Sequence, residues 1–247
     1  MSQFFAESKN INSNLILITD PKEIAHIIKS RRYNLGDKIN LFDEKRNSYA
    51  GIIDKINEDE IVVKIVETHC NASLQTSELT IACALPKNAK FEYIVEKLAE
   101  LGVFRIIPIV TERTIVRLSV DKVRQKAERF RKIAREAAKQ SSNPIITKID
   151  EIKFFKDIFD EKYDLIIIPT LEGKRVTFKD AICSVGTGPC ACPKILALIG
   201  PEGDFTKEEV EFAIKHGSKP VTLGKRILKV DTAAIFVAVG VNLCVRP

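Results

Sequence analysis

The sequence predicts an α/β protein: a mostly parallel sheet with helices between its strands, preceded by a small β-barrel. Three observations predict it. From Leu79 to Leu243, short apolar runs alternate with helical periods, the pattern of successive strand–helix–strand units. Residues 1–72 hold short strand-like runs punctuated by Gly, Asn and Asp, the pattern of an all-β module. The stretch Ile195–Leu243 carries two Gly-containing loops, each leaving an apolar run and leading towards a helix. Such loops at adjacent strand ends place a small-molecule site at the carboxyl edge of the sheet. The polar stretch His69–Glu78 is the expected linker, dividing the chain into residues 1–72 and 73–247.

Taken in order, Leu15–Thr19, Lys38–Phe42, Tyr49–Ile56 and Ile61–Val66 read as strands, separated by Asn34–Asp37, Asp43–Ser48 and Asn57–Asp59. Asn40–Phe42 and Gly51–Ile53 bracket a hairpin. A short helix starts after Pro21, a residue suited to the first helical position, with Ile24, Ile27 and Ile28 as its apolar stripe. His26, Lys29, Arg31 and Arg32 sit on or just after it. An electrostatic RNA contact and a solvated helix end both fit them.

Beyond the linker, Leu79–Leu85 is a strand. Phe91–Leu101 is helical, because Phe91, Ile94, Val95, Leu98 and Leu101 share a face, and Gly102 is placed to end it. Phe104–Val110 is the next strand. Val120–Gln140 predicts a long helix, with Val123, Ala127, Phe130, Ala134 and Ala137 recurring at spacings of four and three. Asp164–Pro169 is a buried-strand run followed by the polar loop Thr170–Lys174, and Val185–Pro193 is a Gly/Pro/Cys-rich loop. Ile195–Ile199 leads into Gly200-Pro201-Glu202-Gly203. Thr206 and Glu209 form a capping box for a helix ending near His216, stopped by Gly217. The short run Val221–Leu223 leads into the second loop, and Ala233–Leu243 is apolar nearly all round. The core or a second subunit must cover such a helix.

No apolar run reaches the roughly 18 residues of a membrane span, and MSQFFAESKN lacks a signal-peptide layout. A cytoplasmic protein is expected. Six cysteines are scattered in a chain too large to need staples and read as reduced thiols. Cys190-Ala191-Cys192 has no second Cys or His pair at ligand spacing, so no metal is expected. The net charge is +6, and Arg105–Lys139 alone holds eleven Lys and Arg against four acidic residues. That excess suits either a solvated helix face or a seat for a phosphate backbone.

The chemistry is narrowed by what is missing. There is no Walker loop, no GxGxxG after a strand and no GxSxG elbow, and His26, His69 and His216 form no metal-spaced pair. Hydrolase, kinase and dinucleotide-oxidoreductase readings lack their parts. Two backbone-rich loops remain, with Glu202, Arg226 and Asp231 nearby, suited to a neutral or zwitterionic ligand in an apolar pocket.

Ile199-Gly200-Pro201-Glu202-Gly203-Asp204-Phe205 resembles the "IGPEGGF" motif of the RsmE family, the 16S rRNA (uracil-N3)-methyltransferases of the SPOUT class. Leu223–Ala233 resembles its "LGxRILRxETA", and Val95–Val103 its "QKATELGV". Pro108 with Thr111–Thr114 is similar to "P…SERS", Glu136–Ser141 to "EAAEQS", and His26–Arg32 loosely to "HHLVKVLR". These motifs follow the family's order over nearly the whole chain.

The resemblance implies a trefoil-knotted SPOUT domain behind a PUA-like barrel, S-adenosylmethionine as cofactor, and a homodimer acting on 16S rRNA of the small ribosomal subunit, with no DNA or membrane partner. It implies cofactor binding by Thr170, Leu171, Ile199, Gly200, Pro201, Gly203, Leu223, Gly224, Ile227, Leu228 and Thr232. Uracil N3 must lose its proton to attack, so the expected catalytic group is Glu202 or Asp231 as base with Arg226 as anion stabiliser. Arg31, Arg32, Arg113, Arg124, Arg131 and Arg135 are the expected RNA contacts.

The chain departs from the family pattern at several places. Asn143 stands where an Arg usually follows "EAAEQS", Asp204 replaces a Gly, Lys229 an Arg, and Val230-Asp231 the usual Thr-Glu. Two other readings stay open: a SPOUT methyltransferase acting on another rRNA or tRNA position, and a non-catalytic RNA-binding relative.

Overall fold

The computed structural model describes residues 3–12, 14–43, 47–57, 59–70, 77–86, 90–114, 120–141, 146–171, 173–185 and 192–245. Asn143 and most of the Val185–Pro193 loop, including Cys190, lie outside them. The chain divides into two compact units, Met1–Leu74 with Ala138–Ile146, and Gln75–Ala137 with Thr147–Pro247.

The first unit is one five-stranded sheet. Strands β1 (Gln3–Phe5), β2 (Leu15–Ile18), β3 (Lys38–Phe42), β4 (Asn47–Ile56) and β5 (Ile61–Cys70) lie in the order β1-β3-β4-β5-β2. β1 runs parallel to β3, and the other pairs are antiparallel. β1 is absent from the sequence expectation, since three residues carry too little periodicity to read. β4 and β5 are long enough to need bending, and register shifts at Ala50/Gly51 and Ile53/Lys55 supply it. Gly51 permits the bend, because a Cβ there would overlap the Val63 side chain. The concave face buries Phe4, Ile16, Ile18, Ile39, Leu41, Ile53, Ile61 and Val63, each worth about 1.5–3 kcal/mol in transfer terms.

Helix α1 (Pro21–Ala25) is capped by Asp20, whose side chain accepts the Lys22 amide at 2.9 Å. It continues as a turn of π-helix, His26–Ser30, and adds Ile24 and Ile27 to the core. Glu23 is buried and paired with the Lys139 ammonium.

The second unit is an eight-stranded sheet in which every pairing is parallel. Its strands are β6 (Glu78–Ala84), β7 (Arg105–Val110), β8 (Lys148–Ile149), β9 (Lys153–Phe154), β10 (Leu165–Pro169), β11 (Val176–Thr177), β12 (Lys194–Ile199) and β13 (Ser218–Thr222). They lie in the order β11-β13-β10-β12-β6-β7-β8, with β9 also on β7. The central strands are apolar on both faces, as a doubly covered parallel sheet requires. Leu79, Ile81, Ile167, Ile195 and Ala197 pack into one core cluster, while Ala82, Ile107, Ile168, Leu196 and Leu198 pack into another.

The first cluster is covered by α2 (Lys90–Glu100), α3 (Val120–Gln140), α4 (Phe178–Cys183) and α6 (Val230–Val245), through residues such as Ile94, Phe130, Phe178 and Val237. The second is covered by α5 (Lys207–Lys215) and the 3-10 turn Phe155–Ile158, through Ala213, Phe155 and Phe205. Gly102 and Gly217 end α2 and α5 with φ of 75° and 87°. α6 lies against α4 at Gly240, where a Cβ would collide with the Phe178 ring. Asn242 Nδ2 donates to Leu101 O at 2.8 Å, fastening α6 to the end of α2.

The short elements β8, β9, β11 and α4 also went unread, being too brief for a period to show. Arg105 explains how a basic residue sits inside a strand of this sheet. It is 7% exposed, its Nε donates to Asp150 Oδ1 at 3.0 Å and its Nη1 to Glu161 Oε2 at 2.6 Å.

Candidate functional site

Parallel strands present their carboxyl ends on one edge, and there β10 is hydrogen-bonded between β12 and β13. Three loops leave that edge side by side: residues 170–175 after β10, residues 200–205 after β12, and residues 223–229 after β13. Together they enclose a cavity of about 240 Å³.

The β10 loop contributes Pro169, Thr170, Leu171 and Arg175. The β12 loop contributes Ile199, Gly200, Pro201, Glu202 and Asp204. The β13 loop contributes Thr222, Leu223, Gly224 and Arg226 to Lys229, and Val221, Val230 and Ala233 close the floor. The walls are chiefly apolar, with two carboxylates and three cations among them. A ligand with a flat apolar body and charged ends fits that lining.

The glycines are placed by geometry. Gly224 has φ +120°, a conformation side chains rarely adopt, and Thr222 Oγ1 pins it by donating to its carbonyl at 3.1 Å and accepting its amide at 3.3 Å. Gly200 faces Phe205, whose ring would stand 3.1 Å from an added Cβ. Phe205 is buried against Phe155, with ring centroids 5.2 Å apart, so it cannot yield freely.

The first loop is anchored from outside as well. Arg113 Nη1 donates to the carbonyls of Gly203 and Phe205. Thr206 opens α5 with the expected capping box, its side chain taking the Glu209 amide at 3.2 Å while Glu209 Oε2 takes the Thr206 amide at 3.0 Å. Burial, and after it the Glu202 carboxylate, push the Cys83 thiol above its ordinary value.

Of the expected cofactor residues, Thr170, Leu171, Ile199, Gly200, Pro201, Leu223, Gly224, Ile227 and Leu228 all line the cavity. Gly203 and Thr232 do not, lying one position off the wall. Of the expected catalytic group, Glu202 and Arg226 line it on facing loops, whereas Asp231 sits in the first turn of α6 off its walls.

Sequence reasoning missed Asp204 and Arg175. Asp204 Oδ2 accepts the Leu171 amide at 3.0 Å, and Arg175 Nη1 donates to Thr170 O at 3.0 Å. Asp204 stood out only as a departure from the motif's glycine, and Arg175 follows the Thr170–Lys174 loop, which no motif covers.

The expected RNA contacts are spread over both units. Arg31 and Arg32 are exposed after α1. Arg131 and Arg135 are exposed on α3, and Arg131 also pairs with Glu151 at 2.7 Å. Arg113 is engaged with the first glycine loop through the two carbonyls it holds. The Arg124 side chain lies outside the described residues. Among the described residues no group of His, Cys, Asp and Glu could hold a metal ion, and no helix is long and apolar enough to cross a membrane.

Comparison with known proteins agrees with the two-unit layout. The RNA methyltransferase domain family matches residues 73–241, and the RNA methyltransferase PUA domain matches residues 18–66. The chain is 28% identical over 218 residues to ribosomal RNA small subunit methyltransferase E of Bacillus subtilis, covering 87% of this chain and 85% of that protein. It is 28% identical over 246 residues to ribosomal RNA small subunit methyltransferase E 2 of Borreliella burgdorferi, covering 96% and 94%. The crystal structure of ribosomal RNA small subunit methyltransferase E from Neisseria gonorrhoeae bound to S-adenosyl methionine superposes with a TM-score of 0.81 at 21% identity, covering 98% and 97% of the two chains.

Proposed function

Because this chain belongs to the RNA methyltransferase family, we propose that it methylates N3 of a uridine in 16S rRNA of the small ribosomal subunit, using S-adenosylmethionine. The observation that carries the reading is the convergence of the three loops. Two motifs that resemble the RsmE pattern, Ile199–Phe205 and Leu223–Ala233, meet the loop after β10 around one apolar cavity. Relatives named ribosomal RNA small subunit methyltransferase E, matched along most of their length, supply the rRNA substrate class. The matched PUA domain suits an RNA-binding role for the first unit.

The residues present fit the cofactor. Ile199, Val221, Leu223 and Leu228 offer apolar walls for a purine ring, and the Gly200 and Gly224 turns leave main-chain groups accessible. Bound there, S-adenosylmethionine supplies a methyl group on a sulfonium sulfur, open to in-line displacement. The chain's own residues do the rest. Glu202, the one expected base that lines the cavity, takes the proton from uracil N3. With the cofactor bound, the deprotonated N3 would be the nucleophile that takes the methyl group from the sulfonium, which would leave as a neutral thioether. Arg226, on the facing loop, stabilises the negative charge that develops on the uracil ring.

The exposed cations Arg31, Arg32 and Arg135 hold the RNA backbone by counterion release. α6 leaves Phe236 43% and Leu243 72% exposed, a surface that a second copy covers in a homodimer. The enzyme works in the cytoplasm, where its substrate is.

The deciding experiment is mass mapping of small-subunit rRNA incubated with the chain and S-adenosylmethionine. One added methyl at N3 of a single uridine is expected. Methylation at another base, or in tRNA alone, transfers the reading to a different SPOUT activity, and no methylation with no cofactor binding overturns it.

A further inference from the structure

The first glycine loop contains a residue under backbone strain. Asp204 stands where the resembling motif has glycine, and its φ is +60°. Glycine enters that region freely, while other residues seldom do, Asp and Asn being the most tolerant. Strain of this kind persists only where the surroundings over-determine it.

The carboxylate shows what does so here. Oδ1 accepts the Phe205 amide at 2.8 Å, which locks the turn locally. Oδ2 crosses to the β10 loop, accepts the Leu171 amide at 3.0 Å and stands 3.5 Å from Thr170 Oγ1. Thr170 O is meanwhile held by Arg175. An ionised acceptor makes the cross-loop bond roughly twice as strong as a neutral one. Thr170, Leu171 and Asp204 all line the cavity, so this bond spans two of its three walls.

We propose that Asp204 is a positioning residue whose carboxylate staples the β10 loop to the first glycine loop and so presets the width of the cofactor slot. The inference rests on reading the cavity as that slot, and deepens it. Glycine leaves the spacing of the two loops to the ligand, whereas this chain pre-organises it at the expense of one strained residue.

Two variants of the full chain test it. Asp204→Gly removes strain and staple together. Asp204→Asn keeps a residue that tolerates the backbone angle and retains one acceptor oxygen. Amide hydrogen exchange on the cofactor-free protein reads the staple directly. The Leu171 amide is expected to exchange about tenfold faster in Asp204→Gly, with Asp204→Asn between the two. Calorimetry is expected to show S-adenosylmethionine bound about tenfold more weakly by Asp204→Gly, with Asn recovering part of the loss. The melting temperature of cofactor-free Asp204→Gly is expected not to fall, which separates loop spacing from loss of fold. Parental exchange at Leu171 in Asp204→Gly overturns the staple. Faster exchange with parental affinity overturns its role in the slot. If the parent chain itself fails to bind the cofactor, the functional reading falls, and Leu171 exchange still decides the staple.

Discussion

Glu209 holds Glu112 from across the second unit. The Glu209 carboxylate caps its own helix through Oε2, and its Oε1 accepts the Glu112 amide at 2.9 Å. Glu112 Oε2 in turn accepts the Thr206 hydroxyl at 3.1 Å, so the Thr111–Thr114 turn and the start of α5 are interlocked. Glu209 is 7% and Thr206 8% exposed, so the Thr206 amide has no ready access to water if the carboxylate is removed. Glu209→Ala is expected to destabilise the chain by about 1–3 kcal/mol, read from urea unfolding. Glu209→Gln, which keeps one acceptor oxygen, is expected to lose less.

Arg105 is the one strongly buried cation in the central sheet among the described residues, and Asp150 beside it is 8% exposed. Arg105→Met leaves the Asp150 charge without its fork and is expected to cost about 3–5 kcal/mol. Its other partner, Glu161, sets an acid dependence. Arg105 holds the Glu161 carboxyl below its ordinary value of 4.5. A group so depressed stabilises the fold above that pH and loses the contribution as pH falls through its lowered value. Glu161 is half exposed, so the effect is small. Unfolding midpoints from pH 6 down to about 3 should show that decline in the parent and a flatter one in Arg105→Met.

The two cavity charges separate binding from chemistry. Arg226→Ala is expected to lower methyl transfer by about a hundredfold, the scale of a missing oxyanion donor, while cofactor affinity changes little. Glu202→Gln is expected to lower the rate of methyl transfer while cofactor affinity changes little. Single-turnover kinetics with radiolabelled cofactor measure both. A parental rate in Glu202→Gln removes it as the base.

Lys132 and Arg135 lie exposed on α3. Reversing both to Glu is expected to weaken small-subunit RNA binding without changing cofactor affinity. The slope of log affinity against log salt should fall by about 0.7–0.9 for each phosphate that is no longer neutralised. An unchanged slope assigns these residues to a solvated face.

Phe236→Glu with Leu243→Glu places two charges on the uncovered stripe of α6. Light scattering after size exclusion is expected to give a dimer for the parent and a monomer for the double variant.

Much of this architecture was legible in the sequence, for reasons that differ between elements. α2 and α3 could be read because Phe91–Leu98 and Ala127–Ala137 repeat with the helical period, and α3 occupies the expected Val120–Gln140. β10 and β12 could be read because a strand covered on both faces is apolar throughout. The α5 boundaries were written in Thr206, Glu209 and Gly217, whose chemistry is local. The cavity was half legible: the motifs named its backbone loops, and the structure joined them. Asp204 was not legible as a staple, because its partner Leu171 lies 33 positions away and only the register of β10 against β12 brings them together. The place of Asp231 was hidden for a related reason. It neighbours the motif in sequence, but the first turn of α6 carries it off the cavity wall.

The order of strands also dictates a timetable. β6 is made early, and β7 soon joins one of its edges, but its other neighbour is β12, from near the end of the chain. At about 5–20 residues per second, the ribosome leaves that second edge open for several seconds. The unpaired row belongs to Leu79–Ala84, buried along its whole length in the finished protein. A nascent chain therefore holds out an apolar strand edge over this interval, and any pause in translation before Lys194 lengthens the time in which a neighbour on the same polysome can pair with it.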